Sequence, residues 1–360
     1  MSTAIIVTNG FDGTWPFAAD YARDRWAKGG DLTFVRLPAG KECDVAKLGL
    51  PADVTRLLLL GCSATADSLA SLTSLRELGL ATRVVEDSPF VIAMRERGVQ
   101  VYGRVSEGYW SQSLAEFALG LTICGLRRIP QTHHAIMTSK IPWDYSPPGG
   151  IAMPNVRGAQ FGDDPNFANG TIAGKRVRIA GIGNIGSRYA AICNFLGANV
   201  AAWDPMAPEP VFHRSGARRV TRLIELARDA DIFAPMMPLL DATRGIITAD
   251  VIDALPKGAL MVVTTRMKIC DSEAIRRRVL ADEISLAADV FDVEPLPLDD
   301  PLLGRHNVVH TPHNAGRTIH ANHSLIDMIL DQFVTSDAMP ERKVTVRLGQ
   351  GMRTVRRTVS

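Results

Sequence analysis

The chain has 360 residues, 46% hydrophobic and 22% charged, the balance of a soluble globular protein long enough for two domains. Its 40 basic and 38 acidic residues leave a net charge of +2, which argues against nucleic acid or an anionic membrane surface as a partner. No apolar run approaches the ~20 residues that span a bilayer, and no basic segment with a following apolar run marks a signal peptide. Cysteines stand at positions 43, 62, 124, 193 and 270, with no metal-ligand or redox spacing. They read as buried, unpaired thiols of a cytoplasmic protein, and no metal site is predicted. Arg353, Arg356 and Arg357 crowd the tail and read as a solvated terminus.

Short apolar, β-branched runs alternate with helical patterns, the mark of a parallel sheet covered by helices on both faces. Strands are predicted at 4–7, 32–35, 57–60 and 99–102. A helix follows over 114–127. Ser113 and Glu116 are spaced as a capping box, and Leu114, Phe117, Ala118 and Leu121 form its apolar face. Residues 142–169, rich in Pro, Gly, Asn and Asp, read as a long irregular loop. A second series of strands is predicted at 177–180, 200–203, 232–234, 260–264, 285–289 and 308–311. Leu325, Met328, Ile329 and Phe333 mark a last helix, and the final twenty or so residues read as extended.

Residues 181–186 read Gly-Ile-Gly-Asn-Ile-Gly, between the strand 177–180 and a helix predicted over 187–196. In that context G-x-G-x-x-G predicts a dinucleotide loop: glycines for a tight turn and close backbone approach, phosphates at the helix N-terminus. Gly181, Gly183 and Gly186 are therefore candidate cofactor residues. Asp204 ends the next strand, 18 residues after Gly186. An acid there accepts ribose hydroxyls and repels a 2′-phosphate, so NAD is expected rather than NADP. Arg214, Arg218 and Arg219 follow and would soften that preference.

Ligands of open parallel sheets bind at the carboxyl ends of the strands, and three chemically informative residues fall there. Arg266 suits a bidentate grip on a carboxylate. His313 suits proton transfer near neutral pH. Glu294 suits orientation of an imidazole and stabilisation of its charged form. By residue type alone His313 cannot be told from His306, His310, His320 or His323, and Arg266 and Glu294 also fit a surface ion pair and a turn cap. Their joint placement after the dinucleotide loop favours a site.

The segments 113–130, 174–190, 230–247, 255–271, 287–297 (AADVFDVEPLP) and 307–316 (NVVHTPHNAG) run in the order and spacing of one family. The chain resembles the D-isomer-specific 2-hydroxyacid dehydrogenases over about residues 98–335. The resemblance implies NAD-dependent interconversion of a small D-2-hydroxy acid and its 2-oxo acid. It implies Arg266 on the substrate, Glu294 paired with the catalytic His313, and Asp289 on the nicotinamide carboxamide. It implies Asn184 and Ile185 as positions whose backbone meets the pyrophosphate, and Met237, Pro238, Thr264 and Thr265 become further candidate cofactor contacts. It also implies a homodimer and two doubly wound α/β domains: a Rossmann-type NAD domain over 110–317, and a flavodoxin-like substrate domain from 1–109 and 318–360.

Several positions depart from the family. Met267 stands where a glycine is usual, and Thr264 and Thr265 replace the commoner Asn and small residue. The substrate loop, about 80–87, has no glycine. Arg83 in that loop reads equally as an anion-recognition residue or a surface residue. Tyr109 and Trp110 read as lining the substrate side or as core aromatics. A second reading of the whole chain is an NAD-responsive, non-catalytic binding protein like the family's corepressors.

Overall fold

The computed structural model describes residues 2–29, 31–41, 43–106, 108–140, 142, 164, 166–333, 345–348 and 351–354. Most of the predicted loop 142–169 lies outside these residues, as do Arg356 and Arg357. The chain folds as two units, Met1–Ser106 with Asn322–Ser360, and Glu107–Ala321.

The first unit holds β1 (Ser2–Val7), α1 (Asn9–Thr14), α2 (Ala18–Trp26), β2 (Leu32–Arg36), β3 (Val54–Leu60), β4 (Glu77–Leu80), α3 (Pro89–Glu96) and β5 (Gln100–Tyr102). Its sheet runs β2-β1-β3-β4-β5, all parallel, which is the flavodoxin-like order. The four apolar residues ending β1 and those ending β3 are buried in succession, as strands covered on both faces require. Ser88 caps α3 by accepting the Val91 N–H, with Pro89 at the first helical position.

Strand β4 escaped the sequence reading because it opens on a carboxylate. Glu77 is buried, accepting from Arg56 at 2.5 Å and from the Tyr102 hydroxyl at 3.1 Å. Pairing and hydrogen bonding are what make a buried carboxylate tolerable.

The second unit holds α4 (Ser111–Arg127), α5 (Ile129–Ile136), β6 (Arg176–Ala180), α6 (Asn184–Phe195), β7 (Asn199–Trp203), α7 (Glu209–Ser215), β8 (Arg218–Arg219), α8 (Leu223–Arg228) and β9 (Ile232–Pro235). It continues through α9 (Ala249–Asp253), β10 (Leu260–Val263), α10 (Ser272–Leu280), β11 (Ser285–Ala288) and β12 (Val308–His310). The sheet runs β12-β11-β10-β9-β6-β7-β8, all parallel. This is the Rossmann order with one strand added outside β11. Leu260 and Val262 enter one core while Met261 and Val263 enter the other, so the sheet is packed on both faces. The strand order reverses between β6 and β9, the place where open sheets of this kind bind ligands.

The last helix, α11 (Ile319–Leu330), buries Leu325, Ile326, Ile329 and Leu330. Beyond it Phe333 packs so closely on β4 that a Cβ at Gly79 would lie 2.8 Å from its ring. Two antiparallel strands, Thr345–Leu348 and Gly351–Thr354, follow. No described helix is long and apolar enough to cross a membrane.

Two expectations need correction. The capping box at Ser113 and Glu116 does not form. The helix begins earlier, at Ser111, so Ser113 falls inside its first turn, and its hydroxyl donates to the Ala315 carbonyl at 2.6 Å.

The cysteines are not all free. Cys43 and Cys62 form a disulfide, with Cα atoms 5.5 Å apart, joining the segment after β2 to the segment after β3. They stand 19 positions apart in the sequence, so only the fold reveals the pair. Closing a loop of this size stabilises by about 3 kcal/mol in the chain-entropy picture. Cys43→Ser is therefore expected to lower the melting temperature by several degrees without reductant, and to match the wild type in dithiothreitol. Identical melting in both conditions would mean that the thiols are not bonded.

Candidate active site

The glycine loop joins β6 to α6. Gly181 has φ +93°, and a Cβ there would meet Met237 Cγ at 2.4 Å. At Gly186 a Cβ would lie 2.1 Å from the Gly181 carbonyl oxygen, so the helix packs on the strand only without one. At Gly183, by contrast, a Cβ would meet nothing within 4 Å. Two glycines close the turn and the third opens onto space at the helix start. Asn184 and Ile185 follow as the first helical residues, whose N–H groups have no intrahelical acceptor.

A cleft of about 500 Å³ lies here, lined by Gly183, Asn184, Arg188, Asp204, Met206 and Arg214. Asp204 Oδ2 accepts the Ile182 N–H at 2.9 Å, and Oδ1 accepts those of Met206 and Ala207 at 2.9 and 3.0 Å. Three backbone donors thus fix the carboxylate at the end of β7, leaving lone-pair capacity toward the cleft. The close turn, the open helix start and the fixed acid suit a dinucleotide.

The other proposed cofactor contacts differ in access. Met237 is buried, whereas Pro238 is exposed and its carbonyl accepts from Thr243. Thr264 and Thr265 are buried, and their hydroxyls donate to Met236 Sδ at 3.7 Å and to the Pro235 carbonyl at 3.3 Å. The threonine hydroxyl protons are thus taken by neighbouring residues, which leaves the oxygen lone pairs and the backbone as further polar groups.

Arg266, Glu294 and His313 come together. They line one cleft of about 330 Å³ at the carboxyl ends of the strands, with Lys268, Phe291 and Asp292. His313 Nδ1 lies 2.7 Å from Glu294 Oε2, while Glu294 Oε1 accepts the Phe291 N–H at 2.8 Å. Of the five histidines between 306 and 323, His313 is the one held by a carboxylate in this cleft. His306 Nε2 is 3.7 Å from Asp282, and His323 belongs to the first unit, where it stacks on Tyr21.

Partial burial opposes ionisation of Glu294. The His313 imidazole, the Phe291 N–H and the charge of Arg266 outweigh it and hold the carboxyl below its ordinary value. The carboxylate is thus charged at neutral pH, ready to stabilise a protonated imidazole.

Asp289 is completely buried, and the partners of both its oxygens lie on Thr311, Asn314 and Ala315. Tyr109 is buried and Trp110 partly so, their rings 4.9 Å apart. Trp110 lies beside Gly316, next to the His313 turn. Arg83 is exposed in the loop after β4, in the first unit. Lys268 and Asp292 were missed at the sequence level. The available signal was their spacing, each two residues from a residue already singled out. Among the described residues no cluster of His, Cys, Asp or Glu is arranged to hold a metal ion.

Residues 151–315 match the family model described as D-isomer specific 2-hydroxyacid dehydrogenase, NAD binding domain. The chain is 29% identical over 273 residues to the D-3-phosphoglycerate dehydrogenase of Methanocaldococcus jannaschii, covering 76% of this chain and 47% of that protein. It is 29% identical over 234 residues to the hydroxypyruvate reductase of Thermotoga maritima, covering 63% and 66%. The chain spans about half the length of the phosphoglycerate dehydrogenases it matches. In fold it is similar to the solved D-2-hydroxyisocaproate dehydrogenase, with TM-score 0.67 and 19% identity over 94% of this chain and 98% of that one.

Proposed function

We propose, from the match of residues 151–315 to the NAD binding domain model of the D-isomer specific 2-hydroxyacid dehydrogenases, that the protein interconverts a small D-2-hydroxy acid and its 2-oxo acid. The observation that carries this reading is the meeting of Arg266, Glu294 and His313 around one cleft. The glycine loop and Asp204 would hold NAD, which would supply hydride-transfer chemistry for the substrate C2.

The chain's own residues do the rest. The Arg266 guanidinium, which donates to the neighbouring Thr265 carbonyl at 2.7 Å, grips the substrate carboxylate and polarises the carbonyl. With Nδ1 engaged by Glu294, Nε2 of His313 is the atom that gives a proton to the developing alkoxide. In oxidation the same nitrogen removes the hydroxyl proton. Glu294 holds the ring in place and stabilises its charged form.

The test is NADH oxidation against glyoxylate, hydroxypyruvate, pyruvate, a branched oxo acid and phosphohydroxypyruvate, with NADPH in parallel. Turnover with NADH on at least one of them is expected. NADH binding with no turnover on any would overturn the enzymatic reading in favour of a non-catalytic, NAD-responsive protein.

A further inference from the structure

Asp289 follows β11 and has no access to solvent. A carboxylate in that position is sustained only by donors. Its Oδ1 accepts the Thr311 hydroxyl at 2.6 Å and the Asn314 N–H at 3.1 Å, and its Oδ2 accepts the Ala315 N–H at 2.8 Å. All three donors belong to the short turn that follows β12, and that turn carries His313.

The turn needs holding. His313 has φ +52°, in the left-handed region that residues bearing a Cβ seldom occupy. Such a conformation persists where the surroundings over-determine it. Here the restraint comes from two sides. Asp289 takes the N–H groups of the two residues after His313, while the Ser113 hydroxyl donates to the Ala315 carbonyl at 2.6 Å. The side chain that results from this backbone is the one whose Nδ1 meets Glu294 at 2.7 Å.

We infer that Asp289 is a positioning residue: its buried carboxylate locks the left-handed turn at His313 and so sets the imidazole against Glu294. This differs from the nicotinamide contact that the resemblance implies for it, because both of its oxygens face the turn. The inference rests on the reading of His313 as the proton-transfer residue.

The experiment compares the wild-type full chain with Asp289→Asn and Thr311→Val. Asparagine keeps one acceptor oxygen but turns an NH₂ group toward a backbone donor. Valine removes only the 2.6 Å hydroxyl donor and keeps the residue's shape. Three quantities are measured: NADH affinity by fluorescence, kcat and KM on the best oxo acid, and the downfield proton NMR resonance of the His313–Glu294 hydrogen bond. That resonance is assigned by its loss in His313→Gln.

Asp289→Asn is expected to lower kcat about 100-fold, the scale of a catalytic group misplaced by about an ångström. NADH affinity and KM should stay within about twofold, with the downfield resonance broadened or lost. Thr311→Val should move the same quantities in the same direction by less, and decides the matter if Asp289→Asn does not fold. Weakened NADH binding with kcat and the resonance retained would overturn the inference and restore the cofactor contact. Retention of all three would overturn it as well. A wild type without turnover on any oxo acid would sink the catalytic reading alone, since the resonance still reports whether Asp289 positions the ring.

Discussion

Exchanging His313 for glutamine lowers kcat for 2-oxo acid reduction by about 1,000-fold while NADH binds as before. The magnitude is that of removing a positioned general acid. Glutamine approximates the reach of the imidazole and can still hydrogen-bond Glu294, but it has no proton to give at neutral pH. The cleft keeps Arg266, so the oxo acid should still bind and KM should change much less than kcat. The partner makes the prediction sharper. Glu294 is held below its ordinary value chiefly against its own partial burial, with the imidazole the first of the groups that lower it. A variant without the imidazole leaves that carboxylate with the Phe291 N–H and the charge of Arg266 alone, and the residual rate should lose its dependence on protonation of the imidazole. A drop in kcat of less than tenfold would show that another group delivers the proton.

Gly186→Ala is the second large effect, and it acts on the cofactor loop. The added methyl would sit 2.1 Å from the Gly181 carbonyl oxygen and 3.1 Å from its carbon, both backbone atoms of the turn proposed to receive the phosphates. Neither can move without separating α6 from β6. Overpacking of this kind costs about 1–3 kcal/mol, each worth roughly 2–4 °C of melting temperature in a domain of this size. NADH affinity should fall about 100-fold as the helix start shifts away from its ligand. Gly183→Ala is the control. Its Cβ meets no protein atom within 4 Å, so melting should be unchanged, while the methyl intrudes on the space the phosphates would fill. Normal NADH binding in both variants would remove the loop from the cofactor site.

Much of this was legible in the residues themselves. Strand and helix order, the glycine loop and the acid ending β7 follow from local rules: apolar periodicity, the freedom of glycine, and spacing along one βαβ unit. The errors fell where long-range partners override local preference. Glu77 concealed a strand because its partners, Arg56 and Tyr102, stand on the strands at either side. Ser113 looked like a cap and instead binds the turn at Ala315, 202 residues away.

The site divides in the same way. Residue types and their place after strands marked Arg266, Glu294 and a histidine, the family resemblance pointed to His313, and the match of 151–315 to an NAD binding domain agrees with the cofactor read from the loop. What no spacing could supply was the choice among five histidines, the bond between Cys43 and Cys62, and the occupation of Asp289. Each is a contact between groups far apart in sequence, made when separate strand ends converge at one edge of a sheet. Periodicity is a property of neighbours along the chain, so the sequence by itself determined the elements, their order and the cofactor loop. Only the tertiary structure decided which side chains meet.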